Sequence, residues 1–288
     1  MNNAMKKNHT KSILSVGLLF LFICCNTTIY AQKVFKVLAI GNSFSVDAAE
    51  AYLDDLAAAQ GIKLIIGNVY IGGCTLETHW KNASQNLPAY SYRKINEGDS
   101  TTLPDRSLLS CITDENWDYV TFQQASPNSG NYTSYFPYLT NLMDYVKSNS
   151  TNPDVKFALH QTWAYASNST HSGFVNYKNN QDTMYHAIVV AIEKASVKAG
   201  IQIIIPSGTA IQNGRSSTIG DHFCRDGYHL SLDLGRYTAA CAWFEILFGK
   251  SVIGNTFAPK SLSNYEVWVA QNAAHSAVRN PNIVTHLK

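Results

Sequence analysis

Residues 34–45 read VFKVLAIGNSFS, an apolar run that leads into a polar turn. The run Val34 to Ile40 is short and contains β-branched side chains, which is typical of a strand buried in a parallel sheet. Beyond it, Ser45 to Gln60 is rich in alanine with apolar residues at helical spacing, and Gly61 is placed to end that helix. The segment therefore predicts a strand, a turn that carries Ser43, and a helix.

The same alternation of strand and helix continues along the chain. Further apolar runs of strand length are separated by segments with helical periodicity. This order implies right-handed crossovers between parallel strands and a sheet covered by helices on both faces, which is the α/β class. The predicted strands are Ile62 to Tyr70, Trp117 to Phe122, Val155 to His160 and Ile201 to Pro206, and the predicted helices are Tyr132 to Ser148, Phe174 to Ala199 and Ser231 to Phe248.

Two regions interrupt this alternation. Residues 80–116 form a polar insertion, in which Tyr90 to Ile95 and Ser100 to Leu103 could pair as a small hairpin around a turn with glycine. After Gly249 comes a tail with one predicted helix, Ser261 to Arg279. Since no internal repeat or low-complexity linker divides the chain, we predict a single domain over residues 32–288.

The first 31 residues have the pattern of a signal peptide. Three lysines precede an apolar stretch, Ile13 to Ile23, and the following polar run ends at Ala31, where cleavage is expected. The apolar stretch is too short for a comfortable membrane span, so we favour export to the periplasm or the exterior over a retained anchor. Cys24 and Cys25 suggest a lipoprotein, but the residues before them lack the small residue that such a site needs.

Composition narrows the classes of partner. Removal of residues 1–31 takes away three lysines and no acidic residue, so the formal charge falls from +2 to −1. Because no lysine and arginine run remains, we expect no nucleic-acid partner. The sequence contains no Cys-x-x-Cys or His-x-x-x-His pair, so we expect no metal, and nothing calls for a cofactor. The four remaining cysteines could form disulfides or stay as buried thiols: Cys74, Cys111, Cys224 and Cys241.

Chemically useful residues follow the predicted strands. Ligands of open α/β sheets bind outside the carboxyl ends of the strands. A second short string, Asp226-Gly227-Tyr228-His229, precedes the last core helix and sets a carboxylate and an imidazole three residues apart. We expect it to converge on one rim with the residues that follow the strands: Gly41-Asn42-Ser43, Gly72-Gly73-Cys74, Gln123-Gln124, Gln161-Thr162-Trp163 and Ser207-Gly208.

These strings resemble the SGNH (GDSL-type) hydrolase superfamily, and within it a branch of exported bacterial proteins with a Gly-Asn-Ser-Phe-Ser motif. The resemblance covers about Val34 to Phe248, through motifs rather than continuous identity. It implies a three-layer α/β/α sandwich with a parallel sheet of about five strands. It also implies that Ser43 is the nucleophile, that His229 is the general base, and that Asp226 orients the imidazole.

The oxyanion hole departs from the family pattern. The resemblance implies donors from the backbone N–H groups of Ser43 and Gly73 and from an asparagine after the third strand. The usual Gly-x-Asn-Asp string is absent, and Gln123-Gln124 stands in its place. We expect the amide of Gln124 to donate the missing hydrogen bond, with Gln123 as the fallback.

Three further residues are candidates for binding substrate. His79 could face the cleft or pack against an aromatic neighbour, and Arg225 could bind an anionic group or form a surface ion pair. Trp163 could stack on a sugar ring or pack in the hydrophobic core.

Together these residues predict a serine esterase that hydrolyses small acyl esters, such as acetyl esters, of a small molecule or a glycan. The alternatives are an acyltransferase that uses the same triad and a non-catalytic glycan- or surface-binding protein.

Overall fold

The computed structural model describes residues 1–2 and 33–287, and Lys33–Lys288 form one compact unit. The predicted signal peptide falls almost entirely outside the described residues. A seven-stranded sheet with the order β4-β3-β2-β1-β5-β6-β7 runs through the unit. The strands are β1 (Val34–Gly41), β2 (Lys63–Tyr70), β3 (Tyr90–Asn96), β4 (Asp99–Arg106), β5 (Tyr119–Phe122), β6 (Lys156–His160) and β7 (Ile203–Ile205).

The five strands that the sequence predicts form the parallel part of the sheet. β1 lies at its centre and pairs in parallel with β2 and β5, and the series continues through β6 to β7. The predicted hairpin also forms, as the antiparallel pair β3 and β4. It does more than the sequence indicates, because β3 pairs antiparallel with β2 and so extends the main sheet at one edge.

Helices cover both faces of the sheet, which confirms the predicted α/β class. Alternate residues of β1 enter different cores, with Val37 and Ala39 in one hydrophobic cluster and Leu38 and Ile40 in the other. The α-helices are α1 (Ser43–Ser45), α2 (Leu53–Ala58), α3 (Leu76–Ser84), α4 (Leu108–Ile112), α5 (Tyr138–Asn149), α6 (Gln181–Ala199), α7 (Ser207–Arg215), α8 (Leu234–Phe248) and α9 (Asn264–Arg279).

The predicted helix from Ser45 to Gln60 is not continuous. The single turn α1 passes into a π-helical segment, Val46–Glu50, and α2 begins only after a break at Tyr52. The Tyr52 hydroxyl donates to the carbonyl of Leu232, 3.1 Å away, and lies 3.0 Å from the Asp233 carboxylate. Tertiary contacts of this kind override local helical propensity, which the sequence pattern alone reports.

Helices α3, α4 and α7 are not predicted by the sequence analysis, and α7 shows why. It follows β7 directly and contains Gly208 and Gly214, which are weak helix formers. A Cβ atom on Gly208 would lie only 2.2 Å from the carbonyl oxygen of Thr162, so glycine permits the close approach of this helix to the loop after β6.

The tail after Gly249 contains the predicted helix, α9, and its start is sharply defined. The Ser263 hydroxyl accepts from the N–H of Glu266, and the Glu266 carboxylate accepts from the N–H of Ser263 at 2.8 Å, which is a capping box. The tail helix packs on α7 and α8.

The four cysteines in the described range are free, and three of them are buried. Burial raises the pKa of both the Cys74 and the Cys111 thiol to about 12. Across residues 1–2 and 33–287, no helix is both long and apolar enough to cross a membrane.

The interior position of β2 in the sheet makes Gly67→Ala a test of the packing. Gly67 lies between β1 and β3, and an added Cβ would come within 2.7 Å of the Trp117 ring and 2.8 Å of Leu38. We expect overpacking to lower the free energy of unfolding by about 1–3 kcal/mol in urea titrations. In the control Gly72→Ala, the new Cβ would meet the Tyr70 hydroxyl at 3.4 Å, an ordinary contact. Equal stability of the two variants would contradict the packing.

Candidate active site

The turn after β1 is built around the side chain of Asn42. Its backbone is extended, and its Oδ1 accepts from the N–H of Phe44 at 3.0 Å, which caps the turn that carries Ser43. The tight turn after β1 also requires glycine at position 41, because a Cβ on Gly41 would lie 2.5 Å from the Ser45 hydroxyl. The local sequence thus fixes the direction in which Ser43 leaves the sheet.

The string that carries Asp226 and His229 closes on itself as a small loop. The N–H of Arg225 donates to the carbonyl of His229 at 2.9 Å, and Cys224 bridges Leu230 in antiparallel fashion. Gly227 adopts φ +88°, a conformation that glycine reaches without strain. The three-residue spacing therefore places both functional side chains on one tight turn.

The structure brings Ser43, His229 and Asp226 into one line. The Ser43 hydroxyl lies 2.9 Å from Nε2 of His229, and Nδ1 of the same imidazole lies 2.7 Å from Oδ2 of Asp226. An ionised Asp226 requires a proton on Nδ1, so Nε2 is left to accept the proton of the Ser43 hydroxyl. The arrangement has the geometry of a nucleophile, its base and the group that orients the base.

Asp226 is held in its ionised form. Partial burial acts to raise its pKa, but hydrogen bonds from the His229 imidazole and from the N–H groups of His229 and Tyr228 outweigh it, together with the charge of the imidazole. The pKa of Asp226 therefore lies below its ordinary value of 3.8. Its second oxygen, Oδ1, accepts those N–H groups at 2.7 and 3.1 Å.

The triad faces a cleft of about 310 Å³ at the predicted rim. Among the described contacts, the backbone N–H groups of Ser43 and Gly73 have no hydrogen-bond partner. Gly73 adopts φ +63°, and it lines the cleft together with Gly72. The remaining lining residues are Asn42, Phe44, Tyr70, Ser126, Pro127, His171 and Tyr228.

The expected role of Gln124 does not fit this geometry. Its amide nitrogen donates to the carbonyl and hydroxyl of Ser134 at 2.9 and 3.1 Å, while its oxygen accepts from the N–H groups of Leu76 and Ala125. The side chain is buried and does not line the cleft. Gln124 therefore ties the start of α3 to the loop after β5 instead of facing a substrate.

Gln123 is also hydrogen-bonded within the protein, and it affects the site indirectly, through Asn42. Its amide nitrogen donates to Oδ1 of Asn42 at 2.7 Å, and its oxygen lies 2.9 Å from Nδ1 of His160. Nε2 of His160 lies 3.1 Å from the hydroxyl of Ser207, and the amide of Asn42 donates to the carbonyl of Cys74 at 3.1 Å. A buried chain of hydrogen bonds thus links the ends of the central strands to the loop that carries Gly73.

The backbone partners of Asn42 determine which group donates and which accepts in each hydrogen bond of this buried series. Asn42 must turn its oxygen toward the N–H of Phe44 and its nitrogen toward the carbonyl of Cys74. Gln123 must then present its nitrogen to Asn42 and its oxygen to His160. His160 must carry its proton on Nδ1 and accept from Ser207 on Nε2, and burial lowers its pKa to about 3, which keeps it neutral.

The three candidate substrate-binding residues bond to other parts of the protein and do not line the cleft. His79 is fully buried, with Nε2 on the carbonyl of Gly41 at 3.1 Å and Nδ1 on the Tyr90 hydroxyl at 3.2 Å. Burial lowers its pKa to about 4. Trp163 is also fully buried; it stacks on Phe44 at 4.3 Å and donates to the carbonyl of Tyr228 at 2.7 Å. Arg225 pairs with Asp47 at 3.1 Å.

A residue of the insertion is connected by hydrogen bonds to the segment that follows Ser43. Arg93 on β3 donates to Glu50 at 3.1 Å, and Glu50 accepts from the amide of Asn68 at 2.5 Å. The oxygen of Asn68 accepts from the hydroxyl of Ser45 at 2.8 Å. The hairpin is therefore connected through polar side chains to the residues that follow Ser43.

Sequence reasoning missed several residues of the site. The preference of asparagine for helix N-caps could have revealed the role of Asn42. His171 gives no such signal, because a loop after β6 brings it to the cleft, where its ring lies 4.7 Å from that of Tyr228. Its Nδ1 accepts from the N–H of Gly173 at 3.0 Å. Burial and the nearby His229 charge lower the pKa of His171.

Comparisons with known proteins identify the family. The sequence matches the family described as "Domain of unknown function (DUF4886)" over residues 36–277. The chain belongs to the DUF4886 family. A crystal structure of a DUF4886 family protein from Bacteroides uniformis ATCC 8492 is 50% identical, with a TM-score of 0.87, and the match covers 88% of this chain and 98% of that chain. No curated protein matches this DUF4886 chain.

A second solved structure relates the DUF4886 fold to a larger group. A proposed SGNH hydrolase from Slackia heliotrinireducens matches with a TM-score of 0.51 and 19% identity, covering 74% of this chain and 99% of that chain. At this identity the likeness concerns the fold alone. It agrees with the SGNH-like sandwich that the sequence motifs indicate.

Their hydrogen-bond partners predict opposite tautomers for His160 and His171 of this DUF4886 protein. We expect His160 to be neutral with its proton on Nδ1, whereas His171 carries it on Nε2 because its Nδ1 is an acceptor. Long-range ¹H–¹⁵N correlation spectra distinguish the two forms, and His171 acts as the internal control. Since the pKa of His160 is about 3, its pattern should persist to about pH 5. A His160 protonated on Nε2 would contradict the direction of the chain.

Proposed function

We propose that this DUF4886 protein is a serine esterase that hydrolyses small acyl esters through an acyl-enzyme on Ser43. The observation that carries the proposal is the array of Ser43, His229 and Asp226, with contacts of 2.9 and 2.7 Å, at the edge of a cleft. Such an array supplies a nucleophile whose proton has a base to receive it.

In the first half of the reaction, the Ser43 hydroxyl oxygen attacks the ester carbonyl carbon while its proton passes to Nε2 of His229. The charge on the imidazolium is stabilised by Asp226, whose low pKa keeps it ionised. The tetrahedral intermediate then collapses, and the proton on Nε2 moves to the departing alcohol oxygen. The acyl group remains on Ser43.

The developing oxyanion needs preorganised donors. The N–H groups of Ser43 and Gly73 have no described partner, and both residues line the cleft. Loss of one oxyanion-hole donor typically costs about 3–4 kcal/mol of transition-state stabilisation. We propose that these two donors form the oxyanion hole, and that Gln123 contributes indirectly by holding Asn42, which in turn holds the carbonyl of Cys74 next to Gly73.

In the second half, His229 removes a proton from a water molecule, and the resulting hydroxide attacks the acyl carbonyl carbon. The same donors hold the second oxyanion, and the acid leaves as the proton returns to the Ser43 oxygen. None of these steps needs a cofactor.

The size and lining of the cleft favour a small acyl group, such as acetyl, on a carbohydrate alcohol. A cleft of about 310 Å³ is at the low end of ligand sites. Tyr70 and Tyr228 line the cleft, whereas Trp163 is buried, so we propose that these two tyrosines are the aromatic residues that contact the sugar. Together with the signal-peptide pattern, this supports a periplasmic or extracellular enzyme that acts on a small-molecule or glycan ester.

The serine mechanism predicts selective labelling of one residue. A fluorophosphonate probe should label the wild type at Ser43, and Ser43→Ala should lose both labelling and p-nitrophenyl acetate hydrolysis, with kcat down by about 10⁶-fold. The control Ser84→Ala removes a hydroxyl whose described partner is the Lys81 carbonyl on α3 and should keep full labelling.

Each outcome separates the proposed class from its alternatives. A folded wild type that neither labels nor hydrolyses acyl esters would contradict the esterase and favour a binding protein. Labelling with acyl transfer to an added sugar in place of hydrolysis would indicate an acyltransferase.

Asp226→Asn tests the orienting group. An amide cannot stabilise the imidazolium, and it can hold the wrong tautomer, so kcat should fall by about 10⁴-fold while KM changes little. Because the pKa of Asp226 lies below 3.8, the wild type should lose activity through protonation of Asp226 only below that pH. Asp154→Asn, on an exposed turn before β6, is the matched control and should behave as wild type. Unchanged kcat in Asp226→Asn would argue against the triad.

A further inference from the structure

Asp47 is a buried carboxylate close to the triad that is not part of it. Asp47 is 1% exposed and sits four residues after Ser43, within the π-helical segment Val46–Glu50. Segments of this type are frequent at functional sites. A buried carboxylate persists only where several donors satisfy it, and Asp47 has three neighbours that do so.

Each neighbour of Asp47 belongs to the part of the chain around the base. Oδ2 accepts from the N–H of Leu230, the residue next to His229, at 2.8 Å. Arg225, which precedes Asp226, reaches both carboxylate oxygens at 3.1 Å. Arg236 on α8 donates to Oδ1 from Nε at 2.8 Å, and its terminal nitrogen lies 2.7 Å away.

These contacts hold the loop at both of its ends. Arg225 lies at the start of the loop and Leu230 at its end, and both bond to Asp47. The Arg225 guanidinium also donates to the carbonyl of Leu230. Within the loop the Arg225 N–H donates to the carbonyl of His229. The anchor for these bonds, Asp47, stands on the segment that continues directly from the Ser43 turn.

We propose that Asp47 is a positioning residue that sets the distance between Ser43 and His229, an inference that rests on the proposed esterase function. Asp47 touches neither reacting atom. Its buried carboxylate joins the segment that follows the nucleophile to the loop that carries the base, so the triad does not depend on the 2.9 Å hydroxyl–imidazole contact alone. Small misplacements of catalytic groups are costly, since about 1 Å can lower a rate by 10²-fold.

Kinetics of Asp47→Asn test the proposal. The amide has the same shape and keeps an oxygen for Leu230 but loses the charge that holds the two arginines. We expect kcat to fall by about 10–100-fold with KM within about twofold of wild type, because ground-state binding in the cleft is untouched. The rate of fluorophosphonate labelling should fall in parallel.

Glu245→Gln is the matched control. Glu245 is also a buried carboxylate, and it accepts from the N–H of Val252 at 2.6 Å and lies 2.9 Å from the His275 imidazole, away from the triad. Both variants replace a buried carboxylate by an amide of the same shape. We expect Glu245→Gln to lose stability without a change in kcat or KM.

Hydrogen exchange provides a readout that needs no turnover. In Asp47→Ala the amide of Leu230 loses its acceptor, so its exchange should accelerate by about tenfold or more, while Glu245→Gln should leave it as in wild type. A wild type without esterase activity would overturn the proposed function, and the exchange result would still show whether Asp47 holds the loop.

The contradicting results are specific. A folded Asp47→Asn whose kcat is unchanged, or whose loss appears in KM instead, would overturn the positioning role. Unaltered exchange of Leu230 in Asp47→Ala would do the same.

Discussion

The site depends on one buried amide, that of Asn42. Its oxygen caps the turn that carries Ser43, and its nitrogen holds the carbonyl of Cys74, next to Gly73. Both ends of the amide thus bond to backbone groups in the two loops that meet at the cleft. Since a buried amide left unpaired is costly, this side chain fixes those loops relative to each other and requires a donor such as Gln123 behind it.

Two kinds of connection then complete the site around Asn42. One is neutral and directional, running from Ser207 through His160 and Gln123 across the ends of the parallel strands. The other is charged, and it joins Asp47 to the arginines around the Asp226 loop. Each contains one side chain for which the sequence analysis expected a role in the cleft, Gln123 in the first and Arg225 in the second, and both hold the protein's own groups instead.

The sequence predicted the α/β class and the parallel strands because buried strands and amphipathic helices leave periodic patterns. It also predicted which residues meet, since Ser43 follows the first strand and Asp226 and His229 share one loop. The roles of Gln124, His79, Trp163 and Arg225 were not predictable. Each depends on the direction of a side chain, and that is set by partners distant in sequence, such as Leu76 for Gln124 and Asp47 for Arg225. Helix α7 was missed because a close approach to Thr162 requires a glycine that lowers helix propensity.

The central claim is that Ser43 is a nucleophile served by two backbone donors instead of a glutamine amide. A crystal structure of the protein inhibited by a small alkyl fluorophosphonate tests this directly. We expect phosphorus bonded to the Ser43 oxygen, and a phosphoryl oxygen about 2.7–3.1 Å from the N–H groups of Ser43 and Gly73. Gln123 and Gln124 should keep their bonds to Asn42 and Ser134. An adduct on another residue, or a glutamine amide turned onto the phosphoryl oxygen, would contradict the account.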